Sequence, residues 1–246
     1  EVAVAERDVA VEERGDTRIT YEEGKIRYSS GQSSGEPIFN ELIVPVGGEC
    51  DITFDDGTRA WVNADTRIVY PVKFVGGERR VQVEGEAYFE VQPGARPFVV
   101  QTRLGDITAL GTTFAVKAYR EEEVRATLLA GRIRYSGFCT VELSPEEQVV
   151  VSPSGDVVKN KVDVREHVAW KDALFIFNKR GLESIMTDLA RWYEFTASYE
   201  DDALRRAPFS GYLKRYDNID DFLELLRETG ELDYTIRERH IVFFKR

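Results

Sequence analysis

From about residue 40 to about 160 the chain alternates apolar and polar residues with a period of two, the signature of half-buried strands. The alternating runs are Cys50–Phe54, Arg59–Val62, Arg79–Val83, Ala87–Val91, Phe98–Gln101, Phe114–Ala118, Glu123–Leu129, Ile133–Tyr135, Val141–Leu143 and Gln148–Val151. Turn residues separate them: Asp56-Gly57, Gly76-Gly77, Pro93-Gly94, Ser144-Pro145 and Ser154-Gly155. Asp55-Asp56-Gly57-Thr58 is a strong hairpin signal. Many short strands at this spacing predict an all-β sandwich or a rolled, solenoid-like sheet. An irregular internal echo favours the rolled form: Gly85 through Val91, Gly111 through Val116 and, more weakly, Gly131 through Tyr135 each set a glycine at a bend before an inward aromatic or aliphatic residue.

Near residue 165 the pattern changes. Leu182, Ile185, Met186, Leu189, Trp192 and Tyr193 form one helical stripe, and Ile219, Phe222, Leu223, Leu225 and Leu226 a second. Asn218 is placed to cap the second and Gly230 to end it. Leu174–Phe177, Phe195–Tyr199 and Phe209–Leu213 read as strands, and Leu232–Ile236 with Ile241–Phe244 as a hairpin around Glu238-Arg239. The order β-α-β-β-α-β-β predicts a small two-layer α/β sandwich. The fold class is therefore a two-domain β plus α/β protein: an all-β domain over 37–160 and a βαββαβ-type domain over 161–246, with a linker around 152–170. Residues 1–36 are charged and weakly patterned and read as a flexible segment, in which Ile19–Tyr21 and Ile26–Tyr28 could pair as a hairpin and Ser29 to Gly35 form a loop.

Charge sharpens the division. The 246 residues carry a formal charge of −11. Residues 165–246 hold 14 Lys/Arg against 16 Asp/Glu, a net of −2, which leaves −9 on the front of the chain. Such a balance repels phosphate backbones and argues against nucleic acid as a partner. An apolar content of 42% is enough for a real core. No apolar run reaches the roughly 18–20 residues of a membrane helix, and no signal peptide is present. The chain opens on Glu1 and its one Met is Met186, so it reads as part of a longer protein whose anchor, if any, lies elsewhere.

Reactive constellations are scarce. His167 and His240 have no ligand or catalytic spacing. There is no nucleophile elbow, phosphate loop or dinucleotide fingerprint. Cys50 and Cys139 lack neighbours for a zinc site, and nothing says whether they pair. The acid pairs Asp55-Asp56, Asp201-Asp202 and Asp220-Asp221 fall at turns and helix starts, where solvation and the helix dipole explain them. No cofactor or metal is implied. One sharper possibility is Gly111-Thr112, where a Thr hydroxyl could attack the preceding carbonyl and cleave the chain; a tight bend opening a strand is the plainer reading. Another is a carbohydrate-binding or hydrolytic surface formed by Trp61 and Tyr70 with Asp55 and Asp56.

Taken in order, the motifs resemble a known family. They are Glu41 through Gly48; Phe54-Asp55-Asp56-Gly57-Thr58 with Trp61 and Asn63; Arg67 through Pro71; Gly77 through Val91; Arg96-Pro97-Phe98; Leu110-Gly111-Thr112-Thr113-Phe114; and Leu128 through Gly131. They resemble the periplasmic domain of FecR-type anti-sigma regulators. Trp170-Lys171, Phe175-Ile176-Phe177, Leu189 with Trp192-Tyr193, and Phe209 through Tyr216 resemble the C-terminal domain of the Bacteroidetes-type members. The resemblance implies a protein that is not an enzyme: the periplasmic part of a single-pass inner-membrane regulator. Such a regulator relays a signal from a TonB-dependent outer-membrane transporter to an extracytoplasmic-function sigma factor. The C-terminal domain would be similar to the small signalling (STN) domain of those transporters, its docking partner. The sigma factor would be held by a cytoplasmic segment absent from this chain, and a regulated intramembrane protease would free it. Edge strands are the natural docking elements of such a domain. Phe209, Tyr212, Ile241 and Phe243 on two expected edges, with Lys214 and Arg215 as flanking positive charge, are the predicted partner-binding residues.

Overall fold

The computed structural model describes residues 38–246 in full and, before them, the backbones of Val2–Ala3, Thr17–Glu22 and Lys25–Ser30. The chain divides into two compact units, Glu1–Val164 and Arg165–Arg246. Of the expected loop over 29–35, Ser29 and Ser30 belong to the strand Lys25–Ser30 instead, and the rest lies outside the described residues, as do the other parts of the 1–36 segment that belong to no strand.

In the first unit sixteen strands form one continuous sheet among the described residues. They are β1 (Val2–Ala3), β2 (Thr17–Glu22), β3 (Lys25–Ser30), β4 (Phe39–Val44), β5 (Cys50–Thr53), β6 (Arg59–Val62), β7 (Thr66–Pro71) and β8 (Arg79–Glu90). The set continues with β9 (Phe98–Thr102), β10 (Gly105–Ala109), β11 (Thr113–Ala118), β12 (Val124–Ala130), β13 (Ile133–Gly137), β14 (Thr140–Leu143), β15 (Glu147–Val151) and β16 (Val157–Lys161). The predicted hairpins are present: β2 pairs β3 antiparallel, and β5 meets β6 across Asp55–Thr58 with Thr53 opposite Arg59. The β2–β3 hairpin adds to the sheet, because β3 runs parallel to β5. β16 lies inside the stretch expected to be linker and pairs with β15.

The roll is made by β8. Two runs that the periodicity separates, Arg79–Val83 and Ala87–Val91, are one twelve-residue strand. Its first half lies between β7 and β9 and its second between β6 and β11. The corner is Gly85, at φ 128°, where a Cβ would come within 2.3 Å of Thr66 Oγ1. Only glycine satisfies both that backbone and that approach. The alternation then directs one side chain in two to a single core containing Leu42, Ile52, Tyr70, Phe89, Phe98, Phe114, Leu128 and Val149. Phe89 and Phe114, one from each of the first two copies of the internal echo, are cross-strand partners and stack at 5.3 Å.

The second unit opens with α1 (Arg165–Val168) and a 3-10 turn, Ala169–Asp172. There follow β17 (Leu174–Gly181), α2 (Leu182–Tyr193), β18 (Thr196–Tyr199), α3 (Asp202–Arg206), β19 (Pro208–Lys214), α4 (Ile219–Glu228), β20 (Leu232–Arg237) and β21 (His240–Lys245). The predicted order of strands and of the two long helices holds, with α3 as an added short helix. Asn218 caps α4 by accepting from the Asp220 amide, and Gly230 follows its end at φ 76°. The strands divide into two sheets, β17-β19 and β18-β21-β20. Leu182, Ile185, Met186 and Leu189 of α2 and Phe222, Leu223 and Leu226 of α4 share one core with Phe177, Phe209, Leu213, Ile241 and Phe243.

Candidate functional site

The motifs that carry the resemblance build two buried arginine centres. In the first unit Arg79 is 3% exposed. Its Nη1 donates to Asp56 Oδ2 at 2.6 Å and to the Gln92 carbonyl at 2.9 Å, and its Nε to the Arg96 carbonyl at 3.1 Å. Asp56 also accepts from the Thr58 amide at 2.9 Å and hydroxyl at 2.8 Å. Asp55 accepts from the Phe74 amide at 3.2 Å. The acidic turn thus pins β8 and the segment before β9; it is a structural clamp rather than a pair of poised acids. Burial is the largest cause raising the Asp55 pKa above the usual carboxylate value. Tyr70 is 1% exposed and packed edge-on to Phe54, and Arg59 lies over Trp61 at 4.3 Å. A sugar-binding platform on these aromatics loses Tyr70 to the core.

In the second unit Arg215 is fully buried. Its guanidinium carbon lies 3.7 Å from the Trp192 ring centre, 5.8 Å from that of Phe175 and 5.9 Å from that of Trp170. Its Nη1 donates to the Trp170 carbonyl at 3.1 Å. The Arg215 carbonyl accepts from Trp192 Nε1 and, at 3.1 Å, from the Tyr193 hydroxyl. Burial raises the Tyr193 pKa to about 12. Trp170, Phe175 and Trp192, scattered along the sequence, meet around one cation, and Tyr193 is bonded to its main chain. Nothing in the hydrophobic periodicity marks Arg215 as interior; the aromatic spacing alone hints at it.

This changes the predicted partner-binding set. Arg215 is not a surface charge: its guanidinium is held among rings, and burying it unstacked would cost far more. Ile241 and Phe243 are 2% and 0% exposed, and β21 is the central strand between β18 and β20, so that stretch is no edge. The hairpin supplies one neighbour, and β18 returns through α2 to supply the other in parallel. Phe209 faces the core at 9% exposure. Tyr212, 71% exposed, and Lys214, also exposed, remain accessible. They lie on β19, which pairs with β17 alone among the described residues and is therefore an edge.

The remaining candidates are separate. Gly111 has φ 68°, and the buried Thr112 donates its hydroxyl proton to the Arg132 carbonyl at 3.1 Å. His240 shares hydrogen bonds with Thr196 and Ser198 at 2.7 and 2.9 Å. Cys50 is buried, Cys139 exposed, and both are free thiols. No cluster of three metal-ligating side chains occurs among the described residues, and no helix among them is long and apolar enough to cross a membrane.

A family model described as FecR protein matches residues 40–134, and one described as FecR, C-terminal, matches 174–243. Two crystal structures of a candidate anti-sigma factor from Parabacteroides distasonis ATCC 8503 align with TM-score 0.78 at 29% sequence identity. The alignments cover 85% and 84% of this chain and 100% and 99% of theirs. No curated protein matches the chain. The two family models fall one in each compact unit and in the family's order, and on these grounds the chain belongs to the FecR family of anti-sigma factors.

Proposed function

We propose that this chain is the periplasmic, signal-receiving part of a membrane-anchored FecR-type regulator and works by protein binding. Its second unit docks the signalling domain of a TonB-dependent outer-membrane transporter. The extracytoplasmic-function sigma factor is held by a cytoplasmic segment outside this sequence, and a regulated intramembrane protease releases it. The observation that supports the reading is β19: an edge strand with an exposed aromatic and an exposed lysine, in a unit whose other motif residues are occupied in holding the fold. The aromatic side chains and the carboxylates serve packing and clamping, and a relay by contact needs only surfaces. The test is calorimetric titration of the full chain with purified signalling domains of the transporters encoded by the same organism. Saturable binding of one of them is expected. Failure of every such domain to bind, in a chain shown to be folded, overturns the proposal.

A further inference from the structure

The mode of docking can be taken further from the geometry of the β17–β19 sheet. The Arg215 amide donates to the Ala173 carbonyl at 2.8 Å, and Leu174 lies opposite Lys214. In an antiparallel ladder hydrogen-bonded and non-bonded pairs alternate. Residues 211 and 213 therefore bond toward β17, and Tyr212 turns its N–H and C=O toward the open edge. Gly211 leaves the sheet face beside that edge bare: a Cβ built on it would meet nothing within 4 Å.

The charge within the two strands themselves is one-sided, with Asp217 in the turn after β19 as a nearby acid. The sequences of β17 and β19 contain Lys179, Arg180 and Lys214 and not one Asp or Glu. Arg180 is paired with Asp188 at 2.8 Å. Lys179 sits exposed at the bulge of β17, beside Ser210, whose hydroxyl accepts the Lys179 amide at 2.8 Å. Arg206, also exposed, precedes β19. In a chain of net charge −11, this small sheet is a local positive field.

We infer that β19 accepts an extended, acidic segment of the partner as a third strand. The segment pairs with the main chain of Tyr212 and sets carboxylates toward Lys214 at one end and Arg206 at the other. The seven residues of β19 reach about 20 Å, which fits a strand of similar length. The inference rests on the proposed role as a docking domain and specifies the chemistry of what docks.

The test uses the full chain, labelled with nitrogen-15, and two capped peptides: Asp-Val-Thr-Val-Thr-Val-Asp and its counterpart with Lys at both ends. Selective shifts in the amides of residues 209–214 with the acidic peptide, and much weaker shifts with the basic one, are expected. Tyr212→Pro removes an outward N–H without touching the ladder to β17 and should weaken the acidic peptide about tenfold. R206E together with K214E should reverse the preference. No shift in β19, equal shifts with both peptides, or full retention of binding in a folded Tyr212→Pro chain overturns the inference. A transporter domain that binds Tyr212→Pro as well as the native chain would leave the docking role intact and remove this edge from it. Peptide binding at β19 with no transporter domain bound would do the reverse.

Discussion

The guanidinium of Arg215 lies 3.7 Å from the centre of the Trp192 ring, while the Trp192 indole N–H donates back to the Arg215 carbonyl. Each residue therefore fixes the other twice, through the ring face and through the main chain. Removing the indole breaks both links. Trp192→Leu should lower the stability of the second unit by about 2–4 kcal/mol, from a desolvated cation–π contact plus one of the two hydrogen bonds to the Arg215 carbonyl, which keeps the Tyr193 hydroxyl. Trp192→Phe keeps an aromatic face and should cost roughly half as much. Urea unfolding followed by circular dichroism separates the two; equal losses would show that the cation is not held by the ring.

Gly85 and Gly211 are both strand glycines with opposite surroundings. At Gly85 a methyl group meets Thr66 at 2.3 Å on a backbone of φ 128°, and at Gly211 it meets open space. Gly85→Ala should cost about 3 kcal/mol or more, or prevent folding. Gly211→Ala should change stability by no more than about 0.5 kcal/mol. Thermal unfolding of the pair checks the contrast, and a benign Gly85→Ala would mean that β8 does not turn where the structure turns it.

Asp56→Ala leaves Arg79, which is 3% exposed, without the carboxylate that holds it at 2.6 Å. Breaking a buried pair from one side costs about 3–5 kcal/mol. Replacing both partners, Asp56→Asn with Arg79→Met, should recover part of that loss. A double-mutant cycle in denaturant gives the coupling directly, and additive losses would refute it.

The two thiols differ in access and in charge. Burial, with Asp51 adding to it, pushes Cys50 up to about 12, and Cys139 is exposed. A disulfide reagent near pH 8 should modify one thiol in the native chain and two after unfolding. Burial likewise raises Tyr193 and Tyr234 to about 12, with Glu224 adding to the latter. The folded state holds these protons more tightly than the unfolded one. The associated stability is therefore complete below pH ~8.5, the range where an unfolded thiol begins to titrate, and declines as pH climbs toward 12. A melting temperature that stays level between pH 9 and 11 would contradict this.

The Thr112 hydroxyl proton is directed at the Arg132 carbonyl, which cannot take it. Intact-mass measurement of fresh and stored protein should show one species. Two fragments separated at Gly111-Thr112 would establish self-cleavage.

Local chemistry was legible and long-range placement was not. Asp56-Gly57, the Asn218 cap and the Glu238-Arg239 turn each act within a few residues, and each was read correctly from composition. The continuity of β8 was hidden because Gly85 looks like a break in a strand when it is a corner. The burial of Ile241 and Phe243 depends on β18 arriving from the far side of α2, which alternation in the hairpin does not encode. Arg215 was read as surface because charge predicts exposure; its aromatic companions come from three other elements. Of the predicted binding residues, Tyr212 and Lys214 are accessible because they alternate with Leu213, which faces the core.

The strand that turns at Gly85 belongs to both walls of the front unit, so no boundary divides one wall from the other. A pull, a cut or a cavity on one side is transmitted along the same twelve residues to the other. Unfolding of this unit should consequently be a single event, and a protease that catches it open will find the whole barrel-like wrap undone rather than one loosened flap.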